Sequence, residues 1–393
     1  MPPYKSSTSE IKSLTGLRGF AALYVVTYHF FIGQAGSNPL TTFLTHGYLA
    51  VDLFFVLSGF VMALNYSHMF ASGWSRASYL KFLGRRMARI YPLYLVATLA
   101  AFLFVVAGWL DYPVNHYPQS APLGVALLLN ISLVQDWGFV QSIDEPGWSI
   151  SAEMAAYILF PALLIPTVFC KRSLACFCAL VSAGILAALC SAPTPPIHMA
   201  GYHNPEFPLS IADPWFALPL IRCLPEFVLG ILAFRLATSP FGRGMGSSRW
   251  ICPVICLVTI GLMMHPKTDL AVVLLFPLIV VCLASGSPFP SRILASAPAQ
   301  FLGRLSYSIY LTHYLFSAVL HWVHGSAHIA GLAHAQTYAA AIGLALTFGI
   351  AYLGYKTIEV PGRRWLRGIF EGDRKNRKAP NLADQSAQRG SSA

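Results

Sequence analysis

The chain has 393 residues, of which 56% are hydrophobic and only 10% are charged. A soluble domain carries about 25% charged residues, so this composition excludes an ordinary soluble enzyme. The net charge of +11 does not indicate nucleic-acid binding, because lysine and arginine cluster in short loops and in the tail, as in membrane proteins. The eight cysteines show no CxxC or zinc-ligand spacing, and we interpret them as small packing residues.

Apolar runs of bilayer-spanning length recur along the whole chain and predict an all-α, polytopic membrane bundle of about ten transmembrane helices. The alternation of basic segments with segments that lack lysine and arginine places both the N- and C-termini in the cytoplasm. We expect a cytoplasmic segment at 1–12, one transmembrane domain at 13–368 and a disordered cytoplasmic tail at 369–393. The predicted spans are 14–35, 47–66, a third that ends near 107, 148–169, 174–191, 214–236, 250–264, 269–285, 302–323 and 337–357.

The segment 121–137 fits this scheme less well than the others. Its apolar part is short, and polar, acidic sequence follows it up to residue 147. If the segment crossed the membrane fully, Lys171 and Arg172 would fall outside, and the later charge assignments would invert. A re-entrant or dipping segment keeps those assignments, and the sequence leaves both arrangements open.

Three predicted helices each place one ionisable residue in the outer half of the membrane. At about 1.5 Å per residue, His29 lies well along an outgoing helix, and Asp52 and Glu153 lie near the start of two incoming helices. Ionisable groups inside a membrane are expensive and usually functional. A neutral imidazole can accept a hydroxyl proton while a carboxylate orients the ring. The alternative is that these charges only fix helix packing.

A dense cationic cluster is predicted on the cytoplasmic side. Arg18 lies eleven residues before His29, about 16 Å along the same helix face. The triplet Arg85, Arg86 and Arg89 follows the second span. Arginine binds phosphate well through its planar fork of donors. Topology and contact with anionic lipids alone would also explain the triplet.

Other polar residues allow less specific interpretations. Arg222 and Glu226 are spaced i, i+4, and we interpret them as a structural pair that neutralises itself. His313 either lines the same cavity or belongs to a satisfied polar cluster in the core. Four histidines around the predicted outer loop lack zinc-site spacing, and no metal is expected. The residues near His313 are Ser306, Tyr307 and Tyr310, and the loop histidines are His321, His324, His328 and His334.

Seven motifs in a fixed order resemble those of the acyltransferase-3 family of integral membrane O-acyltransferases. The resemblance covers nearly all of residues 12–366, and its Arg-x10-His signature is carried by Arg18 and His29. The motifs are LTGLRGFAALYVVTYH, GYLAVDLFFVLSGF, RRMARIYPLY, GWSISAEMAAYILFP, LPEFVLG, LGRLSYSIYLTHY and IEVPGRR.

The resemblance implies an enzyme that moves an acyl group, often acetyl, from cytoplasmic acyl-CoA to a hydroxyl of a glycan, a lipid-linked saccharide or another acceptor. His29 is then the general base, or less favourably the acyl carrier, and Glu153 and Asp52 orient it. We expect a bacterial inner membrane location. Some relatives carry a fused periplasmic domain, and we expect none here. Arg18, Arg85, Arg86 and Arg89 would bind the donor, and Ser58, Trp148, Ser149, Tyr307 and His313 would line the substrate site.

A different class of protein would use the same groups. A proton-coupled transporter or flippase of a glycan or lipid could employ the ionisable residues as a proton relay. Such carriers show repeated halves with interrupted helices, and no such repeat is visible in this sequence. Consumption of acyl-CoA by the purified protein would distinguish the two classes.

Overall fold

The computed structural model describes residues 11–31, 38–110, 112, 121–191, 206–210, 217–316 and 335–371. The regular elements in these ranges are helices. Most of the predicted N-terminal segment and tail, and the four loop histidines, lie outside the described residues. The helices are α1 Lys12–Phe31, α2 Pro39–Thr45, α3 Leu49–Tyr66, α4 Arg76–Val106, α5 Leu123–Ile131, α6 Gly147–Leu164, α7 Arg172–Ser191, α8 Leu218–Ala237, α9 Pro240–Ser247, α10 Ile251–Met263, α11 Asp269–Ala284, α12 Pro288–Leu294, α13 Ala297–Thr312, α14 Ala335–Gly354 and α15 Val360–Glu371.

The described residues contain five helical stretches that are long and apolar enough to cross a membrane, and seven if two bent pairs are each one span. The bent pairs are α9 with α10, at 81°, and α11 with α12, at 87°. Helices α1 and α8 have 20 residues each but carry ionisable side chains and are not among these stretches. The all-helical membrane bundle is therefore confirmed, whereas ten spans and the orientation of the termini stay predictions.

The segment 121–137 forms only the nine-residue helix α5. Nine residues reach about 14 Å, less than half of a hydrocarbon core of about 30 Å. The chain then runs without regular helix to the start of α6. A full helical crossing is therefore excluded for this segment, and a dipping or re-entrant course fits its length.

Glycines allow the central helices to approach each other closely. A Cβ atom on Gly59 would lie 2.0 Å from the Phe227 carbonyl oxygen, and one on Gly230 would lie 2.0 Å from the Val56 carbonyl oxygen. Helices α3 and α8 are thus in backbone contact, as small residues permit in membrane bundles. Similarly, a Cβ on Gly303 of α13 would lie 2.1 Å from the Thr15 carbonyl oxygen of α1. These contacts fix the spacing of the helices that carry the ionisable residues.

We predict that Gly230→Ala destabilises the protein by about 1–3 kcal/mol, because the added methyl group overpacks the α3–α8 contact. Gly184→Ala in α7 is the matched control, since its Cβ would meet nothing within 4 Å. That change should be neutral or stabilise by up to about 1 kcal/mol through helix propensity. Thermal unfolding of both variants in the same detergent measures the difference, and equal melting temperatures would contradict the prediction.

Candidate active site

A cavity of about 140 Å³ lies where α1, α3, α4, α6 and α13 meet. Apolar side chains of α3 form part of its wall, but much of the lining is polar. These helices are widely separated in the sequence, so the bundle assembles the cavity from distant motifs. The polar lining comprises Arg18, Ser58, Arg86, Arg89, Ser149, Glu153, Ser306, Tyr307 and Tyr310.

Two of the arginines face the cavity with neutral partners. The Arg18 Nη2 donates to the Ser306 hydroxyl at 3.1 Å. The Arg86 Nη2 donates to the Tyr157 hydroxyl at 2.5 Å, and its buried Nε has no acceptor among the described residues. Neither guanidinium has a carboxylate within 4.0 Å in the described part of the chain. Buried cations normally require an anion, so this arrangement suits an anionic ligand.

The third arginine of the cavity already has its anion. Arg89 forms an ion pair with Glu359, in the turn that joins α14 to α15. The other oxygen of this carboxylate accepts from the Ser308 hydroxyl of α13 at 2.7 Å. These contacts connect α4 and α13 with the segment between α14 and α15. The predicted donor residue Arg85 is partly buried on α4 but does not line the cavity.

Glu153 lies on the arginine side of the cavity. Its Oε1 accepts hydrogen bonds from the hydroxyls of Ser58 and Tyr157. The same Tyr157 hydroxyl receives the Arg86 hydrogen bond. Glu153 and Arg86 are therefore linked through one phenol, and this network organises the arginine side of the cavity.

Asp52 is engaged with a different helix. Its Oδ1 accepts from the Arg222 Nε of α8 at 2.8 Å, and both side chains are buried. The Arg222 guanidinium also lies 5.2 Å from the ring centroid of Trp148. Glu226 is fully buried beside this pair. Arg222 is therefore paired with Asp52, and neither carboxylate oxygen of Glu226 has a hydrogen-bond partner among the described residues, so the expected pairing of Arg222 with Glu226 is not what the structure shows.

His29 lies in an aromatic cluster beyond the cavity. Its ring centroid is 5.0 Å from that of His313 and 4.9 Å from that of Tyr28. The His313 ring is 5.9 Å from Tyr310, whose hydroxyl forms a 2.8 Å hydrogen bond with Ser149. Ser149 and Tyr310 line the cavity, so adjacent side chains connect it to His29.

The structure does not bring His29, Asp52 and Glu153 together. Neither Asp52 nor Glu153 lies within ion-pair distance of His29 in the described part of the chain. The carboxylate that approaches it belongs to Glu145, whose Oε2 is 4.0 Å from the His29 Nε2. Glu145 was not predicted from the sequence, because membrane depth was counted only for residues within predicted transmembrane helices. The acidic sequence that follows the short segment 121–137 could have indicated it.

The sequence matches the acyltransferase domain family over residues 11–356. It is 32% identical to the acyltransferase MdmB of Streptomyces mycarofaciens over 80% of each chain. It is 24% identical to the O-acetyltransferase OatA of Staphylococcus aureus (strain NCTC 8325 / PS 47), over 90% of this chain and 57% of OatA. It is 23% identical to YrhL of Bacillus subtilis (strain 168), whose name proposes it as a peptidoglycan O-acetyltransferase.

The chain belongs to this family of membrane acyltransferases and is an acyltransferase enzyme. It spans 48% of the length of YrhL and somewhat more than half of OatA. No solved structure matches it. The described residues contain no group of three or more histidine, cysteine or acidic side chains placed to hold a metal ion. Membership of the family favours group transfer over the transporter alternative.

We predict that Arg222→Met lowers stability by about 3–5 kcal/mol, because it leaves buried carboxylates without their cation. Adding Asp52→Leu should recover part of the loss, since replacing both members of a buried pair by apolar residues is often tolerated. The exposed Arg249 provides the control Arg249→Met, which should have little effect. Thermal unfolding in detergent tests the series, and an unchanged melting temperature for Arg222→Met would show that the pair is not structural.

Proposed function

We propose that the protein is an O-acyltransferase that moves an acyl group, most simply acetyl, from acyl-CoA to a hydroxyl of a glycan or lipid-linked saccharide. Acyl transfer follows from the family, and donor and acceptor are our inferences. The observation that supports an anionic donor is the pair of guanidiniums, Arg18 and Arg86, that face one cavity without a carboxylate partner.

The arginines are suited to the phosphate groups of CoA. Guanidinium forks form charge-assisted, paired hydrogen bonds with phosphate oxygens. Arg86 would use its unsatisfied Nε, and Arg18 would add a second positive charge from α1. Arg85 would add to the positive electrostatic potential on the arginine side of the cavity. Arg89 would add less, because Glu359 neutralises it.

The spacing of Arg18 and His29 supports a donor that extends along α1. The two residues lie on one continuous helix, eleven positions and about 16 Å apart. The flexible arm of CoA carries its thioester away from the phosphates over a distance of this order. In our proposal the arm passes Glu153 and the Ser149–Tyr310 pair, and the thioester reaches the His29 side of the bundle.

His29 would act as the general base. As the imidazole takes the proton of the acceptor hydroxyl, the hydroxyl oxygen attacks the thioester carbonyl carbon. The new C–O bond forms, the C–S bond breaks, and the imidazolium returns its proton to the departing CoA thiolate. The ring lies among His313, Tyr28 and Tyr314, which restrict its orientation. No metal or further cofactor is required for this balance.

The membrane arrangement completes the proposal. We infer ten spans with both termini in the cytoplasm of a bacterial inner membrane, so that acyl-CoA enters from the arginine side. His29 then lies in the outer half of the bilayer, within reach of an acceptor outside. A cell-wall or surface glycan is favoured as acceptor because the name of YrhL proposes peptidoglycan as its acceptor.

We predict that His29→Ala reduces acyl transfer by about 10²–10⁴-fold, the usual contribution of a positioned base, while acyl-CoA binding is retained. The exposed His68 provides the control His68→Ala, which should keep wild-type turnover. Release of CoA in the presence of acceptor measures transfer, and calorimetry with CoA measures binding. Wild-type turnover by His29→Ala would refute this mechanism.

We predict that Arg86→Gln raises the KM for acyl-CoA by at least about tenfold, since one hydrogen bond to a charged group contributes about 1.5–3 kcal/mol, with a smaller effect on kcat. The control is Arg76→Gln, at the exposed start of the same helix, where KM should not change. Steady-state kinetics with varied acyl-CoA distinguishes them. An unchanged KM for Arg86→Gln would assign the arginine to topology alone.

A further inference from the structure

The irregular segment 132–146, which we name the acidic loop, contains none of the residues that take part in the proposed acyl transfer. It lies between α5 and α6, outside the candidate spanning helices. The loop is held by buried side chains rather than by helix hydrogen bonds. Asn130 accepts from the Ile143 backbone N–H at 2.9 Å and donates to the Gln141 carbonyl at 3.3 Å. These two hydrogen bonds fix the second half of the acidic loop against α5.

A second set of buried hydrogen bonds fixes the interior of the acidic loop. The Gln135 Nε2 donates to the Ser142 hydroxyl at 3.0 Å, and that hydroxyl donates to the Asp136 Oδ2 at 2.6 Å. These hydrogen bonds favour one conformation of the loop, while the Gln135 Oε1 and both Asp144 carboxylate oxygens have no hydrogen-bond partner among the described residues. The loop is thus a rigid element of the bundle interior, and rigidity is what a positioned functional group requires.

The acidic loop brings Glu145 to the histidine of α1. The Glu145 Oε2 lies 4.0 Å from the His29 Nε2, and each side chain is 23% exposed. Hydrogen bonds at catalytic sites are often long without substrate and shorten in the complex. A small side-chain rotation would bring the two atoms into hydrogen-bond contact.

We propose that Glu145 is the positioning residue of His29, and that its carboxylate accepts the hydrogen carried by Nε2. The Nδ1 lone pair is then the group that takes the proton of the acceptor hydroxyl. The carboxylate also stabilises the imidazolium formed during transfer. This inference rests on the proposed role of His29 as the base.

The other candidate carboxylates are occupied elsewhere. Asp52 is neutralised by Arg222, and Glu153 accepts two hydroxyl hydrogen bonds on the donor side. Within the described ranges, Glu145 is the carboxylate at ion-pair distance from His29. The sequence predicted this role for Glu153 and Asp52.

The environment of Glu145 gives the pairing a measurable pH dependence. Burial raises the pKa of Glu145 to about 7. Below about pH 7 the pair of Glu145 and His29 holds one more proton, so that either the Glu145 carboxylate or the basic form of His29 is lost. The rate of acyl transfer should therefore rise as the pH increases through about 7. The titratable groups that face Glu145 are His29 and Tyr28 of α1, Asp144 of the acidic loop and Tyr310 of α13. His313 packs against the ring of His29.

The test compares Glu145→Gln, Glu145→Asp and His29→Ala with the wild-type protein in detergent. We expect Glu145→Gln to lower kcat about a hundredfold with an unchanged KM for acyl-CoA, and its kcat profile should lose the rising limb near pH 7. Glu145→Asp should keep that limb at an intermediate kcat. The exposed Glu206 provides the control Glu206→Gln, which should match the wild type.

A structural comparison separates positioning from loop folding. Asp136→Asn weakens the interior of the acidic loop, so it should lower thermal stability while the limb near pH 7 remains. Wild-type kcat and pH profile in Glu145→Gln, or a lower kcat with the limb retained, would overturn the inference. If His29→Ala is inactive in that case, the proposed function still stands. Wild-type transfer by His29→Ala would instead overturn both.

Discussion

The cost of burying charge governs this molecule. An ionised side chain in a low-dielectric interior is tolerated only with a counter-charge or dense hydrogen bonding. The bundle meets this requirement at Arg222 with Asp52 and at Arg89 with Glu359. It does not provide a carboxylate for Arg18 or Arg86 among the described residues. Arg222 and its carboxylate lie outside the cavity lining, whereas Arg18 and Arg86 face the cavity without a carboxylate partner among the described residues.

The cost of burying polar groups in a membrane also explains which features of the fold could be predicted from the sequence. The apolar runs indicate a helical membrane protein, because continuous runs of about 20 apolar residues fit spanning helices and not the alternating pattern of barrel strands. Helix α1 and the separation of Arg18 from His29 follow from helical geometry, and the structure has them on one helix. The ordered motifs identified the family. Six of the residues predicted as donor-binding or substrate-lining line the cavity: Arg18, Ser58, Arg86, Arg89, Ser149 and Tyr307.

The sequence did not predict which charged side chains would contact each other. Depth places Asp52, Glu153 and His29 at one level, but depth says nothing about the rotation of each helix about its axis. The contacts of Gly59 and Gly230 set that rotation for α3 and α8 and direct Asp52 towards Arg222. Glu145 lies on an irregular loop, where residue counting gives neither depth nor direction. Its position depends on buried hydrogen bonds to Asn130 and Gln135, which no periodicity reveals.

The tie between Arg89 and Glu359 has a consequence for biosynthesis. Arg18 is in the first helix, Arg89 is in the fourth, and Glu359 follows the last long apolar helix. The counter-charge of Arg89 is therefore supplied by a residue that is synthesised 270 positions later. During synthesis Arg89 enters the bundle before the carboxylate that pairs with it. The contact that this ion pair makes between α4 and the segment before α15 can form only after both have been inserted.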